Sequence, residues 1–128
     1  MSQHELDRVR GIALALPEVT ERLGHGAICF FIRDKKPVCY YHNNHRGDGR
    51  VSLWCPVLPD LRKDLIRNHP IRFFKPQMSA SGVFSDWLGA YLDTTDENEV
   101  NWNQIAAIIE DAYRKVAPKN LLTELDKR

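Results

Sequence analysis

Ala27-Ile28-Cys29-Phe30-Phe31-Ile32, then Asp34-Lys35-Lys36, then Val38-Cys39-Tyr40-Tyr41 is the stretch whose reading decides the fold. Two runs rich in β-branched and aromatic residues flank a short polar break, which predicts a pair of strands joined by a turn. Downstream, Gly47-Asp48-Gly49 combines glycines that tolerate positive φ with an Asp-Gly step suited to a tight hairpin. Val51-Ser52-Leu53-Trp54-Cys55 then alternates as a half-buried third strand should. Three such segments with short polar connections predict an antiparallel meander.

Working outward, Ser2-Gln3-His4-Glu5 is a capping box. Leu6, Val9, Ala13 and Leu16 recur at steps of three and four, predicting a helix that ends before Pro17. Residues around Gly24 and Gly26 read as a linker. Pro59-Asp60 opens a second helix with a narrow apolar face of Leu61, Leu65 and Ile66, closed by His69-Pro70. Ile71–Phe74 and Trp87–Leu92 are predicted strands, separated by a loop over Pro76–Ser85, and Asp93–Glu99 reads as a solvated connection. Asn101 is the expected cap of the longest helix, with Gln104 at the reciprocal position. That helix presents Trp102, Ile105, Ala106, Ile109, Ala112, Tyr113 and Val116 as its buried stripe and stops at Pro118. The sum is one α+β domain spanning residues 1–128.

Length and composition fit this. A chain of 128 residues buries about two thirds of its unfolded surface in one core. The three cysteines, Cys29, Cys39 and Cys55, lie in apolar runs without CxxC spacing, and no leader is read, so a reduced cytoplasmic protein is expected. No apolar run is long enough to span a bilayer.

In order, these segments resemble the MmcQ/YjbR family of small bacterial proteins. The resemblance rests on Leu14-Ala15-Leu16-Pro17 with Gly24-His25-Gly26, and on Gly49 through Cys55. It continues through Arg72-Phe73-Phe74, Trp87-Leu88-Gly89 with Leu92-Asp93, and Asn101-Trp102 to Ala112-Tyr113, ending on Val116 through Leu121. It implies a two-layer α-β-β-β-α-β-β-α fold, akin to frataxin-like and secretion-chaperone-like domains. It also implies DNA binding through a double-wing arrangement of hairpins. The chain departs from the family pattern at Pro76–Ala80, where relatives carry a Pro-Pro-Tyr-like turn. It departs again at Ala90-Tyr91, where relatives often carry an Arg.

Charge points to the same class of partner. The whole chain has a formal net charge of +1, yet residues 33–75 carry ten Lys/Arg against four Asp/Glu. Both flanking stretches are acidic, and such asymmetry suggests a polyanion. Arg33, Lys35 and Lys36 bracket the first hairpin tip, Arg46 and Arg50 flank the second, and Arg72 and Lys75 are expected nearby. Cations on protruding hairpins suit phosphate contact through counterion release, and about four to six phosphates would be engaged. The expected partner is nucleic acid, in the form of double-stranded DNA, bound by a monomer without a cofactor. A protein-interaction module using the sheet face or edge is the alternative.

Other chemistries are weaker. His42 and His45 have a spacing that suits a metal but lack a third ligand. Asp93, Asp96, Glu97 and Glu99 lack the Gly and Glu of a calcium loop. His25, between glycines, is the histidine that a pocket near the Pro76–Ser85 loop would use, but no nucleophile with its base is legible, so no enzyme is expected. Trp102 and Tyr113 are expected in the core. Phe30, Tyr40 and Trp54 are expected under a helix, or else, beside Arg50, as a stacking surface for bases.

Overall fold

The computed structural model describes residues 2–24, 26–76, 86–93 and 100–127, with the side chains of Ser2 and Gln3 excepted. Four helices and six strands follow in the order α1 (Ser2–Ala13), β1 (Val19–Gly24), β2 (Ala27–Ile32), β3 (Lys36–Asn43), β4 (Val51–Pro56), α2 (Pro59–Asn68), β5 (Phe73–Phe74), β6 (Trp87–Tyr91), α3 (Trp102–Val116) and α4 (Lys119–Asp126). The sheet is antiparallel throughout, in the order β1-β2-β3-β4-β6-β5. The α+β reading and the β2-β3-β4 meander therefore stand.

Side-chain alternation sorts the sheet into two faces. Phe30, Ile32, Cys39, Tyr41, Leu53, Cys55, Leu88 and Ala90 join Val9 of α1, Ile105, Ile109 and Tyr113 of α3, and Leu121 of α4 in the main core. The opposite face carries Cys29, Phe31, Tyr40, Trp54 and Trp87, with Phe74 against them, in a second buried cluster that contains no helical residue. Tyr40 and Trp54 are thus buried on the face away from the helices, and only Phe30 lies under them. Val38 is skipped in the pairing of Phe30 with Cys39 and Phe31 with Pro37, a bulge that preserves this sorting across β2 and β3.

Four local features differ from expectation, the first being α4, which follows Pro118 where the sequence pattern places the end of the last helix. Residues 19–24, read as a linker, form edge strand β1. Its sequence hides this because its polar residues are engaged: Glu21 accepts two hydrogen bonds from Arg10 of α1 at 2.8 Å, and Arg22 lies 3.9 Å over the Phe31 ring. The β3–β4 connection is not a tight hairpin but a longer loop containing a turn of 3₁₀ helix at His45–Gly47, with Asn44 at φ 60° and Arg46 at φ 52°. Asn101 does cap α3, its side chain accepting from the Gln104 amide at 3.1 Å, but Gln104 accepts from Arg72 instead of reaching back. On α3 the buried set includes Ile108, while Trp102 and Ala106 are half-buried. Tyr113 Oη donates to the Pro17 carbonyl at 2.9 Å and so ties α3 to the turn after α1. The capping role expected of Ser2, His25, the segment 77–85 and the acidic residues 94–99 lie outside the described residues. Among the described residues no helix is long and apolar enough to cross a membrane.

Gly89 on β6 pairs with Phe74 on the short edge strand β5, and a Cβ on Gly89 would overlap the Phe74 ring. The ring in turn stacks on Tyr91, centroids 4.5 Å apart. Gly89→Ala is expected to destabilise the protein by about 1–3 kcal/mol through overpacking. In the Phe74→Leu background the penalty should shrink, as measured by urea unfolding.

Candidate functional site

The seven predicted contact residues do not gather in one place. In a meander, successive turns fall at opposite ends of the shared strand. β3 is eight residues long, so the β2–β3 turn and the β3–β4 loop are separated by roughly 24 Å at about 3.4 Å per residue. Arg33, Lys35 and Lys36 lie at one end, and Arg46, Arg50 and Arg72 at the other. Lys75 follows β5, three strand positions from β3, or about 14 Å across the sheet.

Several of these charges are also matched internally. Arg33 donates to both carboxylate oxygens of Glu18 at 3.0 and 3.2 Å, and the hydrogen bond raises the guanidinium pKa and lowers that of Glu18. Arg50 grips Asp93 in a fork of 2.9–3.2 Å, while the Val51 amide donates to the same carboxylate at 2.8 Å. Burial alone would raise the Asp93 pKa; the hydrogen bonds from Arg50 and Val51 hold it below the usual range. The Arg50 guanidinium also lies 3.7 Å over the Tyr91 ring. Arg72, half-buried, donates to Gln104 and sits 4.9 Å over Phe73, and desolvation lowers its pKa. These contacts fasten the fold: Arg50 joins the start of β4 to the chain leaving β6, and Arg72 joins β5 to α3.

What remains at the β2–β3 end is a smaller group. Lys35 and Lys36 are exposed and have no ion-pair partner among the described residues. Lys115, from the last turn of α3, lines the same cleft as Lys36, together with Pro37, Asp86 and Trp87. Lys35 and Lys36 also border an adjoining cleft of about 240 Å³ walled by Ile32, Val116 and Pro118. Sequence reasoning missed Lys115 because it sits in the acidic last third of the chain. Its only sequence signal is its place off the apolar stripe of α3.

The histidines meet on the sheet face opposite the helices. The His42 ring lies 4.2 Å from Trp54 and 4.5 Å from His45, centroid to centroid. His42 is 6 % exposed, its Nε2 has no hydrogen-bond partner among the described residues, and burial pushes its pKa down to about 4. No group of three metal-ligating side chains exists among the described residues. The cysteines are free and buried. Cys39 lies against Cys55, and that hydrogen bond together with burial pushes its thiol well up, while burial raises Cys29 to about 12. Thiols held protonated in this way are poor nucleophiles.

A histidine buried neutral binds fewer protons in the folded chain than in the unfolded one. Its contribution is complete above its unfolded pKa of about 6.5 and is lost as pH falls from there towards the folded value of about 4. Chemical denaturation at a series of pH values should therefore show stability declining across that window, and His42→Leu should remove this part of the decline.

Comparison with known proteins bears on the assembly as a whole. No curated protein matches the chain. The fold is similar to the crystal structure of Deinococcus radiodurans protein DR2400, which carries a DUF419 domain, with a TM-score of 0.68 at 17 % identity over 90 % of this chain and 80 % of that one. The YjbR family model matches residues 14–115, from the end of α1 to the Lys115 turn of α3, and so takes in the whole sheet. The chain belongs to the YjbR family.

Proposed function

We propose that this is a non-enzymatic, DNA-binding cytoplasmic protein that holds the phosphate backbone of a duplex with one end of its sheet. Lys35 and Lys36 on the β2–β3 turn and Lys115 on α3 make the contacts. The observation that carries this reading is the convergence of these three cations around two adjoining clefts, where among the described residues no carboxylate takes them up in an ion pair. Asp86 lines one of those clefts and moderates the patch. Arg33, Arg50 and Arg72 are spent on intramolecular partners and are left out of the contact set. Free thiols at all three cysteines support a reducing compartment.

A patch of three lysines releases few counterions, so binding is weak, backbone-directed and little sensitive to sequence. The protein-interaction alternative draws on β1, six residues long at an edge of the sheet, where an added strand would find main-chain groups to pair with.

Lys35→Glu, Lys36→Glu and Lys115→Glu combined should abolish retention of duplex DNA in low salt, while Arg46→Glu at the far end should leave it unchanged. For the native protein the log–log salt slope should be near about −2.7, from three phosphates at about −0.9 each. Retention that survives the triple reversal, or that Arg46→Glu destroys, overturns the assignment. Salt-insensitive capture of a protein partner that a proline in β1 abolishes would favour the edge-strand alternative.

A further inference from the structure

The opposite end of the sheet holds a cleft that the proposed DNA contacts do not use. It has a volume of about 420 Å³ and opens between α1, the β1–β2 hairpin and the β3–β4 loop. That is within the size range of small-molecule sites, roughly 300–1,000 Å³. One wall is apolar, formed by Leu6, Leu23, Ile28 and Tyr41. The other is the run Asn43-Asn44-His45-Arg46, rich in hydrogen-bond donors. Among the described lining residues there is no carboxylate. The nearest acid on the loop, Asp48, already accepts from the Arg50 amide at 2.9 Å.

The donor wall is built rather than loose. The Asn44 side-chain oxygen accepts from the Gly49 amide at 2.7 Å, which leaves its amide nitrogen as the remaining polar group. The Asn44 backbone N–H donates to the Arg50 carbonyl at 2.8 Å. Arg46 is held at φ 52°, in the left-handed region that a non-glycine residue adopts only at a cost. Within the wall, His45 is braced edge-on against Trp54 at 5.0 Å and against His42. His42, which lines the same cleft, is a buried imidazole whose Nε2 has no hydrogen-bond partner among the described residues.

We propose that this cleft binds a small organic anion, an apolar or aromatic body bearing one carboxylate or phosphate group. His45, Arg46 and Asn43 hold the head, and Leu6, Ile28 and Tyr41 receive the body. The two walls set the requirement. An anion without a body leaves the apolar wall wet, and a cation of the same shape is repelled by the Arg46 guanidinium with no carboxylate among the described lining residues to offset it.

Titration of the full chain with four probes, followed by calorimetry or by amide chemical shifts, tests this. Phenyl phosphate and benzoate should bind saturably with shifts confined to the cleft, inorganic phosphate at least tenfold more weakly, and benzylamine not at all. The better of the two organic anions identifies the head group. Arg46→Gln should weaken both by tenfold or more. Leu23→Ser, at a rim position 72 % exposed and so harmless to folding, should weaken the aromatic probes without changing inorganic phosphate. Lys36→Glu with Lys115→Glu should change neither, which separates this site from the DNA patch. Absence of saturable binding by either organic anion, or equal binding of benzylamine, overturns the proposal.

Discussion

The central strands β3 and β4 are buried on both faces, and the rest of the architecture answers to that constraint. Every residue of β4 is buried, and so is β3 from Val38 to His42. A strand has two faces and the helices supply cover for one, so alternate residues enter different environments. Leu53, Cys55, Cys39 and Tyr41 meet α1, α3 and α4, whereas Trp54, Tyr40 and Cys29 meet each other, Trp87 and Phe31. Two-sided burial also fixes register, since a slip of one residue would exchange the two sets. The bulge at Val38 and the flat seat that Gly89 offers Phe74 are local devices that hold this register.

The meander that satisfies this constraint also decides what the basic residues can do. Turns alternate between ends of the sheet, so cations close in sequence are parted by the length of β3. Arginines near the strand ends then become fasteners. Arg50 clamps Asp93 and covers Tyr91, Arg72 bridges β5 to α3, and Arg10 bridges α1 to β1. Paired, half-buried guanidiniums of this kind serve orientation, because each is planar and offers a fork that fits a carboxylate. The lysines, whose ammonium groups stay hydrated on flexible stems, remain at the surface. A count of positive charge thus overstates the charge presented to a partner.

The two ends of the sheet consequently have different chemistry. At the β2–β3 end, lysines from two elements rim shallow clefts, a geometry suited to a long polyanion that needs no enclosure. At the β3–β4 end, a strained loop and an apolar wall enclose a space of small-molecule size. Nothing about the fold forces a use on either end, since a sheet with helices on one face hosts many functions. What differs between the ends is the side chains they carry.

From sequence alone the element types, the meander, the α+β class and the family were legible, because hydrophobic period and turn residues are local properties. Asn101 as the cap of α3 and Pro59 at the start of α2 belong with them. β1 was not legible, because Glu21 and Arg22 look like loop residues until Arg10 and Phe31 are placed beside them. Nor was the face on which Tyr40 and Trp54 lie, for alternation separates two faces without saying which one the helices take. The partners of Arg33, Arg50 and Arg72 and the arrival of Lys115 beside Lys36 depend on contacts between distant segments. Only the folded chain decides those, since which charges cancel is a matter of distance in space, and the order of residues does not contain it.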